Sequence, residues 1–487
     1  MFYREKKIFF VLCFYHIIVW TLVPYISNKN LPLDTIEHLT WGKDFLWGYD
    51  KHPPLTYWIL GIVYKIFGNK DLAFYLLSQI FIVLTLVVLW KISNFFLKRR
   101  EKLISILILE GIVFFNFETP QFNVNICLLP IWATTIYFFI KSIEDNKVYN
   151  WIFLGLFSGL GILTKYIFLY LLASLFLYIL LIYLKKKKYN FFYSLIVFIF
   201  IIFFHIEWIL DSNFETLRYI LFRTGLDEYN YSNHFLNPII VISKQLIILI
   251  PFFILIYFLV YKYKNLNKKN ISFKNNKNII LFFSFVIPII LLIVTSVITA
   301  SKIRSFWFIP FYTLSGIATV NLIKNKINFF NLKNFYFFLI FILILTPILY
   351  SLRSIIKDSR TGYDGKSLTS QVETEWKKIS SDPISNIGFS AWYAGNLSYH
   401  LNYNTKTFMK EDQNFYDNPA IIIAKGVGKK LCEIENNKIL SRKEIRDNYF
   451  TYIQPLNLEK NFLKDKKIKI LYRKIADHDV CFIISNK

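Results

Sequence analysis

The sequence predicts a membrane-embedded all-α bundle followed by a small α/β domain, and three observations carry that prediction. Of 487 residues, 55% are hydrophobic and 19% aromatic, against 18% charged. The apolar residues gather in runs about 20 long, the length a helix rising ~1.5 Å per residue needs to cross a hydrocarbon core of about 30 Å. These runs end near Tyr350; beyond Arg353 the chain is polar and alternates β-rich with helix-like stretches.

Taken in order, the runs predict about eleven spans, at 8–26, 72–96, 101–117, 122–141, 150–165, 166–184, 190–210, 236–262, 278–299, 306–323 and 335–352. The first follows the basic stretch Arg4–Lys7, and no small-x-small cleavage pattern precedes Ser27, so it is expected to stay uncleaved. The run 55–67 is too short to cross and is expected to lie along the membrane surface. Residues 1–355 are expected to form the transmembrane domain and 356–487 a soluble domain. Strands are predicted at Ile384–Phe389, Ala420–Ala424, Lys467–Tyr472 and Val480–Ile484, and a helix at Ala391–Leu401.

Basic loops set the orientation. Arg4–Lys7, Lys98–Arg100, Lys141 with Lys147, Lys185–Lys188, and the lysines of 262–277 and 324–333 fall in alternate loops. Placing all of them in the cytoplasm leaves 27–71, 118–121, the turn at Lys165, 211–235, 300–305 and everything after Leu352 outside. The net charge of +25 is thus spread over short loops rather than gathered on one patch, which argues against a nucleic-acid partner. The four cysteines show no CxxC or Cys/His spacing; Cys432 and Cys481 lie in the region placed outside, and a bridge between them is left open.

The first external loop holds the densest chemistry. Asp34, Glu37 and His38 stand at i, i+3 and i+4, one face of a helix, with Trp41, Phe45 and Trp47 as interfacial aromatics. The plain alternative makes Asp34 the cap of a surface helix and Glu37 the other half of a capping box. Polar groups also mark the external ends of other spans: Glu118, Asn123, Asn125, Lys165, His205, Glu207, Asp211, Arg218, Arg223, His234, Lys302 and Arg304. Any single lysine or arginine there can be a snorkelling side chain; several converging from many helices point to a site.

These pieces resemble the GT-C glycosyltransferases of family 39, the group of protein O-mannosyltransferases and lipid A aminoarabinose transferases. The resemblance rests on Asp34-x-x-Glu37 followed by His52-Pro53-Pro54-Leu55-x-x-Trp58, and on Phe122-Asn123-Val124-Asn125 through Phe138. It also rests on Gly155 to Lys165, and on Lys302 to Pro310 before Leu314-Ser315-Gly316. It implies inverting transfer of a sugar from a polyprenyl-phosphate donor to a lipid, glycan or protein hydroxyl at the outer face of a bacterial inner membrane. Asp34 would be the catalytic base, with Glu37 in support.

Phosphate carried by a lipid stays at the membrane surface, so cations at helix ends must neutralise it as it leaves. Lys51, His52, Lys302 and Arg304 are the candidates; Glu118, Asn123, Asn125, Lys165 and Arg218 are further site candidates. Many relatives have Lys directly before the proline pair, where this chain has His52, and Asp where it has Asn123 or Asn125. No cofactor is certain; if a divalent metal binds, Asp34, Glu37 and His38 are its expected ligands. Two other classes stay open: a transporter or flippase of lipid-linked glycans, and a non-catalytic relative.

Overall fold

A computed structural model of the chain describes residues 2–226, 230–260, 276–327, 329, 332–355, 359–388, 390–401, 403–408, 415, 418–425, 434–435, 438–439 and 468–485. The chain forms two compact units. The first comprises Met1–Ile26, Phe45–Thr56 and Leu72–Leu352, the second Ser27–Asp44, Tyr57–Asp71 and Arg353–Lys487. The loop 27–71 is therefore shared between them.

The protein is a multi-pass membrane protein. Among the described residues, eight helices are long and apolar enough to cross a bilayer, and Asn233–Ile248 with Ile250–Val260 makes a ninth if that pair, bent by 54°, is one span. Lipid solvates their outer faces: in Phe191–Asp211 only His205 is buried, while Phe200, Phe203 and Ile196 are exposed. A helix satisfies its own backbone, which is what permits such a surface in hydrocarbon.

Two of the eleven expected spans take other forms. The run at 150–165 is the helix Val148–Thr164, short at 17 residues. The run at 101–117 is no single span: helix Arg99–Leu107 gives way to 3-10 turns at Ile108–Gly111 and Val113–Phe115. Glu110 and Asn116 explain the break. Glu110 is fully buried and meets His16 of the first helix at 2.9 Å. Asn116 Nδ2 donates to the freed Glu110 carbonyl at 2.6 Å. Irregular backbone at such depth is tolerated only where protein surrounds it, and Leu103–Ile112 are all buried.

The loops of the first unit meet in two sets. In one, Lys277 Nζ donates to the Phe95 carbonyl (2.9 Å), Lys141 Nζ lies 5.2 Å from the Phe95 ring, Asn190 donates to the Asn146 carbonyl (3.0 Å), and Asn321 donates to Asn278 (3.1 Å). In the other, Lys165 reaches Asn125, Lys302 N donates to Thr224 O (2.8 Å), and Thr216 reaches Tyr49 O. The basic loops thus gather at one end of the bundle and the loops between them at the other.

The second unit holds a five-stranded sheet. Its strands are β1 (Asn386–Gly388), β2 (Lys406–Phe408), β3 (Ala420–Ala424), β6 (Ile468–Ile475) and β7 (His478–Ser485), in the order β2-β1-β3-β7-β6; β4 (Ile434–Glu435) and β5 (Lys438–Ile439) form a separate pair. β1 runs parallel to β2 and β3, and β7 antiparallel to β3 and β6. Three of the predicted strands are each present within a few residues, Val480–Ile484 lies within β7, and Tyr393–His400 is the predicted helix; β2 and helix Gly365–Lys377 were not foreseen. Asp364 caps that helix through Ser367 N (3.0 Å), and its Trp376 packs on Phe482 of β7. Cys481 of β7 is disulfide-bonded, and Cys432 lies outside the described residues.

Candidate active site

In the second unit, Leu33–Gly42 is a helix, so Asp34, Glu37 and His38 do share a face. The capping alternative fails on geometry. Pro32 is the N-cap with no side-chain cap bond, and Asp34 stands inside the first turn, where its charge complements the helix dipole. Nor is the helix a surface element, since Thr35 through Gly42 are buried. Glu37 and His38 are both buried, and the His38 ring meets Tyr57 edge-on at 4.6 Å. Asp34 is half-buried.

Buried polar contacts hold this helix at both ends. Asn30 Nδ2 donates to Asn396 Oδ1 (2.6 Å), His400 Nε2 to Asn30 Oδ1 (3.2 Å), and Asn30 N to Thr361 O (3.1 Å). At the far end Lys43 Nζ donates to the Ser398 carbonyl (3.2 Å) and hydroxyl (2.9 Å). Burial pushes the Lys43 ammonium down to about 8, against the opposing pull of Asp44. Between these ends, the Leu33–Gly42 and Tyr393–His400 helices meet at Gly395, where a Cβ would fall 2.9 Å from Ile36 Cγ2.

Among the described residues, no three His, Cys, Asp or Glu side chains group as metal ligands. Asp34, Glu37 and His38 share a face without converging on a point, so the expected ligand set does not fit a metal and no step is assigned to one.

In the first unit, the basic candidates surround helix Glu215–Thr224. Lys51 Nζ lies 6.0 Å from the Tyr219 ring centroid, and the His52 ring meets Tyr219 edge-on at 6.2 Å. Lys302 is tied by its backbone to Thr224, the last residue of that helix. Partial burial and then the like charge of Arg223 press the Arg304 guanidinium below its usual range, with Tyr219 opposing. Residues from two segments some 250 positions apart therefore meet along one helix, three of them at Tyr219 and Lys302 at its last residue. Arg218 is different: it is exposed, and one residue before Tyr219 it does not share that residue's helix face.

The remaining candidates adjoin this group. Lys165, buried at the end of helix Val148–Thr164, donates to Asn125 Oδ1 at 2.6 Å and lies 5.7 Å from the Trp307 ring. Trp307 N in turn donates to Arg304 O. Asn123 accepts from Asn125 N (2.9 Å) and Ile126 N (3.2 Å), capping helix Val124–Asp145. Glu118 is half-buried, its amide bonded to Val113 O.

Comparison with known proteins adds to this geometry. The family described as dolichyl-phosphate-mannose-protein mannosyltransferase matches residues 51–208. Among solved structures, ArnT from Cupriavidus metallidurans bound to undecaprenyl phosphate is 10% identical, with a TM-score of 0.60 over 98% of this chain and 97% of that one. The chain shares the fold of ArnT. ArnT in the apo state matches at 10% identity and the same coverage, with a TM-score of 0.58. The Archaeoglobus fulgidus oligosaccharyltransferase in the apo form, at 11% identity, covers 88% of this chain and 70% of that one with a TM-score of 0.46. No curated protein sequence matches. The family match spans Lys51, His52, Asn125 and Lys165, and leaves Asp34, Tyr219 and Arg304 outside it.

Sequence reading missed Tyr219, Tyr166 and Thr216. Each is neutral and sits in a run of ordinary composition, so only the fold shows that they join segments distant in sequence.

Proposed function

We propose that the protein is an inverting glycosyltransferase that takes its sugar from a polyprenyl-phosphate donor. The observation that carries this reading is the meeting of Lys51, His52 and Arg304 around Tyr219, with Lys302 tied to the same helix. Cations in that density, at the end of membrane helices, match an anion that cannot leave the interface. ArnT, of like fold, is bound to undecaprenyl phosphate, and the matched family is described by a dolichyl-phosphate sugar, which supports the same donor class.

In this reading Asp34 accepts the proton of the acceptor hydroxyl. The acceptor oxygen bonds to the anomeric carbon from the face opposite the phosphate, and the anomeric carbon–oxygen bond to phosphate breaks. Its electron pair stays on the phosphate oxygen, where Lys51, His52, Lys302 and Arg304 stabilise the charge. Glu37, buried one turn on, supports the base. The leaving phosphate needs no strong acid. We also propose a bacterial inner membrane as the location, the soluble region 356–487 facing the periplasm, and a lipid, glycan or protein hydroxyl as acceptor.

The test is a transfer assay with purified full-length protein and radiolabelled polyprenyl-phosphate sugars. Labelled product supports the reading; release of no sugar to any hydroxyl acceptor, across a panel of donors, would overturn it in favour of a transporter or a non-catalytic relative.

A further inference from the structure

A second set of residues touches the Lys51–His52 segment from behind and has no part in the chemistry above. The segment Phe45–Pro54 is not a helix, yet Gly48, Tyr49 and Lys51 are buried. Its backbone needs partners, and two side chains of the first unit supply them. His205 Nδ1 meets the Trp47 carbonyl at 2.6 Å, and Thr216 Oγ1 donates to the Tyr49 carbonyl at 2.7 Å. A carbonyl only accepts, so His205 carries its proton on Nδ1; the neutral ring then has Nε2 free to accept the Tyr166 hydroxyl, 2.7 Å away. The His205 ring lies parallel to Trp208, 6.0 Å away, and a Cβ at Gly48 would fall 2.1 Å from the Trp208 ring. His205 is 1% exposed inside an otherwise lipid-facing helix, a costly place for an imidazole without a task.

We infer that His205, Thr216 and Tyr166 are positioning residues: they latch the Trp47–Tyr49 backbone to the bundle and so deliver Lys51 and His52 to Tyr219. The inference rests on the proposed phosphate role for what it does to function, while the latch itself is open to a test that needs no ligand. Lys51 follows Tyr49 by two residues, so a segment freed at Trp47 and Tyr49 releases its ammonium from the Tyr219 face.

The first measurement is the rate at which an amine-reactive reagent modifies Lys51 in the purified full-length protein, read by mass spectrometry. Wild-type Lys51, 7% exposed, reacts slowly; His205→Ala and Thr216→Val should each speed it about tenfold or more, the loss of one buried hydrogen bond to backbone. His205→Asn keeps an amide N–H where Nδ1 stands and should restore slow labelling. His205→Gln places its amide at the Nε2 position, too far along to reach the Trp47 carbonyl, and should not. Should His205→Ala fail to fold, Thr216→Val and the Asn/Gln pair carry the same comparison. Lys51 equally protected in Thr216→Val and His205→Gln would overturn the latch. The second measurement is the Kd for polyprenyl phosphate in detergent. With the latch real and the phosphate role correct, Kd rises in the variants that expose Lys51 and recovers in His205→Asn. Wild-type Kd in variants with exposed Lys51 would overturn the delivery step, and absence of binding by the wild type would instead overturn the phosphate reading.

Discussion

At Arg304 the side chain's shape distinguishes a phosphate contact from a residue that only fixes helix depth. The guanidinium offers a bidentate fork; among the described residues Arg223 presses on it and Tyr219 is its opposing neighbour. A contact to a charged group contributes about 1.5–3 kcal/mol, so Arg304→Ala should weaken donor use roughly 10- to 150-fold. Arg304→Lys should recover only part of that, because a point charge lacks the fork. Donor titrations in which both variants behave as wild type would remove Arg304 from the site. Asp34 asks a different question. Asp34→Asn keeps size and helix while removing the proposed base, and turnover should drop about 10²-fold or more with donor Kd unchanged. Charged residues like these were legible in the sequence because ionisable groups at membrane depth announce themselves. Tyr219 and Thr216 were not, since nothing in a neutral side chain reports which distant carbonyl or cation it will meet.

The helix Leu33–Gly42 shows what the element scale adds. Its periodicity was readable; its capping was not, because the sequence offered Asp34 as a cap and the backbone used Pro32. Likewise 101–117 reads as one apolar run, yet a buried Glu110 and the Asn116 amide let the chain turn out of helix there. What holds Leu33–Gly42 is the cluster of Asn30, Asn396 and His400, and this makes a prediction about pH. Burial first and Lys366 second, with Asp364 opposing, lower the His400 imidazole from 6.5 to about 4. The folded protein then binds fewer protons than the unfolded chain between those values, so His400 contributes stability that is complete above pH 6.5 and lost as pH falls toward 4. Thermal unfolding of the full-length protein in detergent should therefore show a midpoint that falls through this window. In His400→Gln, which keeps an amide donor toward Asn30, that part of the slope should be absent. An unchanged slope in the variant would assign the acid sensitivity to other groups.

At the scale of the whole molecule, the sequence supplied most of the architecture because lipid imposes length and composition on every span. It also supplied the polar C-terminal sheet, through short β-rich runs that the strands β3, β6 and β7 reproduce. It did not foresee that the loop 27–71 would be divided between two compact units, since that depends on packing rather than pattern. The loop sets lead to the remaining prediction. Lys141, Asn146, Asn190, Lys277 and Asn321 meet at one end of the first unit, and Asn125, Lys165, Thr224 and Lys302 at the other. A helix bundle that alternates in this way must expose one set on each side of the bilayer, and short basic loops stay in the cytoplasm. Reporter fusions after Lys188 and Lys269 should therefore be cytoplasmic, and fusions after Tyr231 and at the C-terminus external. The basic set has no route to the outer face without dragging lysines across hydrocarbon, at about 2.5–3.5 kcal/mol for each at the helix centre. A cytoplasmic reporter at the C-terminus, with Lys188 also cytoplasmic, would mean an odd number of crossings between them is wrong by one. The span count would then need revision.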